Sequence, residues 1–99
     1  MELQIVCINK PYNHSNAHEA VTHYGYVDPS SRLTKIATRQ DMVAWAKQPG
    51  NQAYVMDNYG NRVNCYVNHK GAIEFLQTHR DGVWTDNLLA LKECPLPTR

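Results

Sequence analysis

Two β-prone runs, Gln52 to Asp57 and Arg62 to Asn68, stand on either side of Asn58-Tyr59-Gly60-Asn61, and this spacing constrains the chain more than any other feature. A connection of that length carrying Gly and Asn allows the backbone angles that a hairpin turn demands. In the second run Val63, Cys65 and Val67 alternate with Arg62, Asn64, Tyr66 and Asn68. One face is therefore predicted to meet a core and the other to meet water. His69-Lys70-Gly71 makes the next turn, and Ala72 to Thr78 adds a third antiparallel strand, with Ile73 and Phe75 opposite Glu74 and Leu76.

Upstream, Leu3 to Ile8 reads as a strand covered on both sides, Leu3, Ile5 and Cys7 facing one way and Val6 and Ile8 the other. The polar stretch from Lys10 to His18 has loop chemistry. Ala20 to Val27 reads as a second strand with Val21, His23, Gly25 and Val27 on one face and Thr22, Tyr24 and Tyr26 on the other. Asp28-Pro29-Ser30-Ser31 is a turn, because Pro presets the backbone while Asp and Ser bind local amides. Thr38 is placed to cap a helix from Arg39, with Asp41 in its first turn facing the positive end of the dipole. Met42, Val43, Trp45 and Ala46 supply its inward stripe, and Pro49-Gly50 stops it after about three turns. Trp45 is expected to plug the core. The order β-β-α-β-β-β predicts an α+β domain: an antiparallel sheet of about five strands, one helix packed on a face, and a leucine-rich C-terminal tail.

The 99 residues fit one domain, 1–99, and 42% hydrophobic content suits a globular chain able to build one modest core. Ten basic residues against nine acidic ones leave a net charge of +1, so no broad field exists to capture polyanions. No apolar run approaches the ~20 residues of a membrane span, and the N-terminus lacks a leader pattern. The expected location is cytoplasmic, without membrane attachment. Cys7, Cys65 and Cys94 are odd in number and contain no C-x-x-C pair, so reduced thiols are expected, with Cys7 and Cys65 packing as small hydrophobes.

At the C-terminal end, Thr78-His79-Arg80-Asp81-Gly82-Val83-Trp84-Thr85-Asp86-Asn87-Leu88-Leu89-Ala90-Leu91-Lys92-Glu93-Cys94-Pro95 resembles the closing signature of a bacterial and phage domain family of unknown function, number 3892. In that family a strand ends in Thr, an Asp-Gly turn follows, and an Asn-Leu-Leu-x-Leu-Pro-x-Cys-like tail closes the domain. Cys7-Ile8 and His18-Glu19-Ala20-Val21-Thr22-His23 match its front end. Lys92 stands where Pro is common, and Tyr24-Gly25 where a Gly pair is frequent. The resemblance implies a small single-domain protein and no particular activity. Read physically, Asp81-Gly82 is a tight turn, Leu88, Leu89 and Leu91 fold the tail over an apolar edge, and Pro95 and Pro97 end regular structure.

Three functional readings follow. The outward face bearing Tyr54, Tyr59, Arg62, Asn64, Tyr66 and Asn68 suits contact with a protein partner or a second copy of the chain. The same tyrosines, with Arg62, Lys70 and Arg80, could stack single-stranded bases or a nucleotide, although Lys10, Lys35, Lys47, Lys70 and Lys92 form no basic run. A metal-dependent hydrolase would instead use His18, His23, Asp81 and Asp86. His18 and His23 are spaced for opposite sides of a strand, His14 sits among loop-forming Asn residues, and no H-E-x-x-H, G-x-S-x-G or phosphate-cradling loop is present. A binding or accessory module without a cofactor is the favoured expectation, and an enzyme the less favoured one.

Overall fold

The computed structural model describes residues 1–10 and 18–94. The body of the expected polar loop, His14 within it, and Pro95 and Pro97 lie outside the described residues. Seven strands form: β1 (Glu2–Asn9), β2 (His23–Val27), β3 (Thr34–Thr38), β4 (Gln52–Met56), β5 (Arg62–Lys70), β6 (Ile73–Arg80) and β7 (Val83–Thr85). One helix, α1 (Arg39–Ala46), joins β3 to β4, and His18–Ala20 makes a single 3₁₀ turn before β2. The strands lie in the order β3-β2-β1-β4-β5-β6-β7.

This sheet is mixed, which corrects the expected five-stranded antiparallel one. β1 runs parallel to β4, Leu3 opposite Ala53 and Gln4 opposite Tyr54, while the other neighbours are antiparallel. A parallel pair needs a long crossover, and β2, β3 and α1 together provide it. The α+β class still fits in broad terms, since the helix is single and the strands dominate.

Three local readings change for identifiable reasons. β3, unread in the sequence, is an edge strand whose residues are exposed or half-buried, so no apolar run announces it; only the alternating β-branched Thr34, Ile36 and Thr38 do. It runs straight into α1, where Thr38 serves as the expected cap and its Oγ1 accepts from the Asp41 amide at 3.2 Å. The helix has 8 residues, nearer two turns than three, because the Lys47 amide already closes it onto the Val43 and Trp45 carbonyls. Trp45 is half-buried against the core instead of filling it. β2 starts only at His23, with Ala20 in the 3₁₀ turn.

The register of β1 against β2 slips between Ile5 and Cys7. A bulge of this kind reverses the alternation, so Ile5 and Ile8 both enter the core while Cys7 does not join them. Tyr24 of β2 is fully buried there as well, and its hydroxyl accepts from the Leu76 amide of β6 at 3.0 Å. β7 pairs with β6 only from Thr78 to Arg80, so Leu76 lies beyond its end and the tyrosine supplies the partner. Ile5, Ile8, Val21, Tyr24, Met42, Val55, Val63, Cys65, Leu76 and Leu88 form one contiguous cluster, so the two ends of the sheet curl around a shared interior.

The tail closes as expected. Leu88 is fully buried, and Leu89 and Leu91 pack against the cluster. β4 accompanies β1 only as far as Gln4. Further along, the tail bridges Ile8 to Glu93 in parallel, with the Ile8 amide donating to Lys92 O at 3.0 Å and the Cys94 amide to Ile8 O at 3.1 Å. Cys94 is bonded to Cys7, which overturns the expectation of three reduced thiols. Sequence spacing hid the pair because the two cysteines are 87 positions apart and meet only through the tail's return. Cys65 alone is free, and burial pushes its thiol up to about 12.

Candidate binding face

Side chains of a strand alternate, so Ala53, Val55, Val63 and Cys65, all buried, turn Tyr54, Arg62, Asn64 and Tyr66 to the opposite side of the sheet. Cross-strand register then extends that side. Tyr54 lies opposite Asn64 and Met56 opposite Arg62, Tyr66 opposite Gln77, and His79 opposite Trp84. The Arg62 guanidinium sits 4.2 Å above the Tyr54 ring, a cation–π contact. It also donates to Asn64 Oδ1 and Glu2 Oε1, both at 2.8 Å. The guanidinium holds the Glu2 carboxyl below its ordinary range.

Next to this pair, three rings form a chain. Tyr66 meets His79 edge-on at 5.9 Å, and His79 meets Trp84 edge-on at 4.8 Å. These are favoured aromatic geometries. Together the three line a shallow concavity of about 440 Å³. Tyr66 and Trp84 remain 43% and 42% exposed. At the far end the face closes: Phe75, opposite Asn68, is buried beneath a stacked His18 ring. Asn68 is turned onto Gln77 Oε1 at 3.0 Å.

Of the six residues expected to bind, Tyr54, Arg62, Asn64 and Tyr66 are thus brought together. Asn68 lies at the closed margin. Tyr59 stands on the β4–β5 turn, 89% exposed, and makes no ring contact among the described residues. His79 and Trp84 were missed. The signal for them was Asp81-Gly82, whose φ values of 53° and 81° are those of a two-residue hairpin turn. Read as a hairpin, it would have paired His79 with Trp84.

The metal set does not assemble. His18 Nε2 lies 3.8 Å from Asp86 Oδ1, but His23 Nδ1 is engaged with Thr22 Oγ1 at 2.9 Å and Asp81 belongs to the β6–β7 turn. Among the described residues no three His, Cys, Asp or Glu side chains converge on one point. The cations considered for nucleic acid each face a carboxylate: Arg62 with Glu2 at 2.8 Å, Lys70 with Glu19 at 3.1 Å and Arg80 with Asp57 at 3.5 Å. No helix among the described residues is long and apolar enough to cross a membrane.

A curled mixed sheet closed by a returning C-terminal tail defines the architecture. A family model described as a protein of unknown function, DUF3892, matches residues 4–92, and the chain belongs to that family. No curated protein and no solved structure matches it.

Proposed function

We propose that this domain is a binding module, without catalytic work of its own, that engages a segment of a protein partner through the face of Tyr54, Arg62, Asn64, Tyr66, His79 and Trp84. The observation that carries this reading is the edge-to-face ring chain, left about two-fifths exposed at Tyr66 and Trp84; other side chains such as Leu33 and Val83 are more exposed, but these rings contact one another and line a shared concavity. Half-exposed aromatic groups set among amides are what protein interfaces enrich. Ion pairing of Arg62, Lys70 and Arg80 disfavours a polyanion, whose capture depends on cations able to displace counterions.

Size chooses between a partner segment and a second copy. Four strands, β4 to β7, at ~4.8 Å spacing, crossed by the five-residue stretch Arg62 to Tyr66 of β5 at ~3.3 Å per residue, give a footprint on the order of 300 Å². A stable dimer buries about 800 Å² on each side. The face therefore suits weak, reversible contact with a short segment more than a permanent homodimer. The compartment follows a different residue pair: the cytoplasmic expectation rested on the missing membrane-length run and leader pattern, whereas the Cys7–Cys94 bond favours surroundings that keep it oxidised.

The test is site-specific photo-crosslinking in the native host. A photoreactive phenylalanine analogue replacing Tyr66 should capture a discrete partner, and Trp84→Ala should abolish the product while the fold persists. Equal capture from a control position at Leu33, which is 65% exposed, would refute the proposal. So would sedimentation equilibrium showing a tight dimer that Trp84→Ala dissociates.

A further inference from the structure

A second concavity, of about 470 Å³, opens between α1 and the β1–β3 end of the sheet. It shares no residue with the aromatic face. Its volume falls within the ~300–1,000 Å³ of small-molecule sites. Leu3, Tyr26, Ile36, Met42 and Trp45 line it, and its ionised side chains are two carboxylates, Asp28 and Asp41. Met1 also borders the opening, but its ammonium donates to the Gly50 carbonyl at 2.8 Å.

The two carboxylates differ. Asp28 is spoken for: its Oδ1 accepts from the Ser30 amide and hydroxyl, and Oδ2 holds the Lys35 ammonium at 2.8 Å. These contacts keep it well below the ordinary carboxylate range. Asp41 lies on the exposed first turn of α1, its backbone amide used by the Thr38 cap, and its carboxylate enters no ion pair among the described residues. Half-buried Trp45 is on the same helix, one turn further along. An apolar wall containing two aromatic rings, with an unmatched carboxylate at its rim, complements one kind of ligand: an apolar body ending in a cation. Aromatic rings add to that selection, since cations are drawn to their faces.

We infer that the cleft between α1 and β1–β3 binds a small hydrophobic ammonium compound, its apolar part against Leu3, Ile36, Met42 and Trp45 and its cation beside Asp41. A half-enclosed cavity of this volume suits a free small molecule better than a lysine carried on a folded surface.

The test uses the full chain carrying Trp84→Phe, so that Trp45 is the remaining tryptophan. Three probes share one skeleton: 4-phenylbutylammonium, 4-phenylbutanol and 4-phenylbutyrate. Trp45 emission should respond saturably to the ammonium and about threefold more weakly to the alcohol, the size of a solvent-exposed charge pair. The carboxylate should bind least. Asp41→Asn should bring ammonium and alcohol to equal affinity, and rising salt should do so partly. Ile36→Trp, by filling the cleft, should abolish binding of all three, read by ligand-observed NMR. Equal affinity for the three probes in the parent chain, or no saturable response to the ammonium, would overturn the inference. A lysine-bearing peptide binding more tightly than the free amine would also overturn it, by making the occupant a protein. None of these outcomes bears on photo-crosslinking at Tyr66.

Discussion

Reducing the Cys7–Cys94 bond should destabilise the domain as much as a severe core substitution. The bond closes a loop whose ends are 87 residues apart. The chain-entropy relation for a loop of that length gives about 4.6 kcal/mol, and residual structure in the unfolded chain brings the practical range to about 2–5 kcal/mol. Unfolding entropy of ~2.1 cal/mol/K per residue makes ~0.21 kcal/mol/K for 99 residues. The melting temperature should therefore fall by between about 10 and 24 °C on full reduction. Loss should begin locally, because without the bond the stretch from Lys92 to Cys94 keeps, among the described residues, the two backbone hydrogen bonds at Ile8 and that from Asn9 Nδ2 to the Cys94 carbonyl at 3.1 Å. The assay is thermal unfolding by circular dichroism with and without a phosphine reductant, on the wild type and on Cys7→Ser/Cys94→Ser. Thiol titration in denaturant, before reduction, should count one thiol, that of Cys65, and three afterwards. Three thiols before reduction in protein exposed to oxidised glutathione, or an unchanged melting temperature after it, would refute the reasoning.

Gly25 should prove intolerant of any side chain while the bond is intact. A Cβ there would stand 2.7 Å from Cys94 Sγ and closer still to Cys7 Sγ; Gly25→Ala should cost at least 1–3 kcal/mol as overpacking, and much less in a Cys7→Ala/Cys94→Ala background, measured as a double-mutant coupling by urea unfolding. Tyr24→Phe removes the hydroxyl that serves the buried Leu76 amide. It should destabilise by about 1–3 kcal/mol, the cost of an unsatisfied buried donor, and no change in the urea midpoint would show that the amide finds another partner. Stability should fall as pH drops through the histidine range. Burial is the larger influence on His18 and lowers its pKa below the ordinary 6.5, against the weaker pull of Asp86 and Glu19. The unfolded chain then binds the proton first, so the stabilisation is complete above pH ~6.5 and is lost on acidification. His18→Phe should flatten the melting profile between pH 7.5 and 5, a window above that in which the carboxylates titrate.

What could be read in the sequence was decided by how local each determinant is. The β4–β5 hairpin was legible because alternation and turn chemistry lie within seventeen consecutive residues, Gln52 to Asn68, and the start of α1 because Thr38 and Asp41 mark it at fixed offsets. Tyr54, Asn64 and Tyr66 followed as the complement of a buried set. The parallel pairing of β1 with β4 has no local determinant, and one inserted register step in β1 decides which side Cys7 faces. That step links several features that looked unrelated in sequence. With unbroken alternation Cys7 would have pointed inward with Leu3 and Ile5, as a small core hydrophobe. Displaced by the bulge, it lies against Gly25, its partner on β2, where the absence of a side chain leaves room for a second sulfur. The returning tail brings Cys94 to that gap, while Leu88 and its neighbours seal the interior. The described part of the tail is thereby held beside β1, from Lys92 to Cys94. Tyr66 and Trp84, on the side of the sheet turned away from that interior, stay about two-fifths exposed among the described residues, and that is the face for which partner contact is proposed.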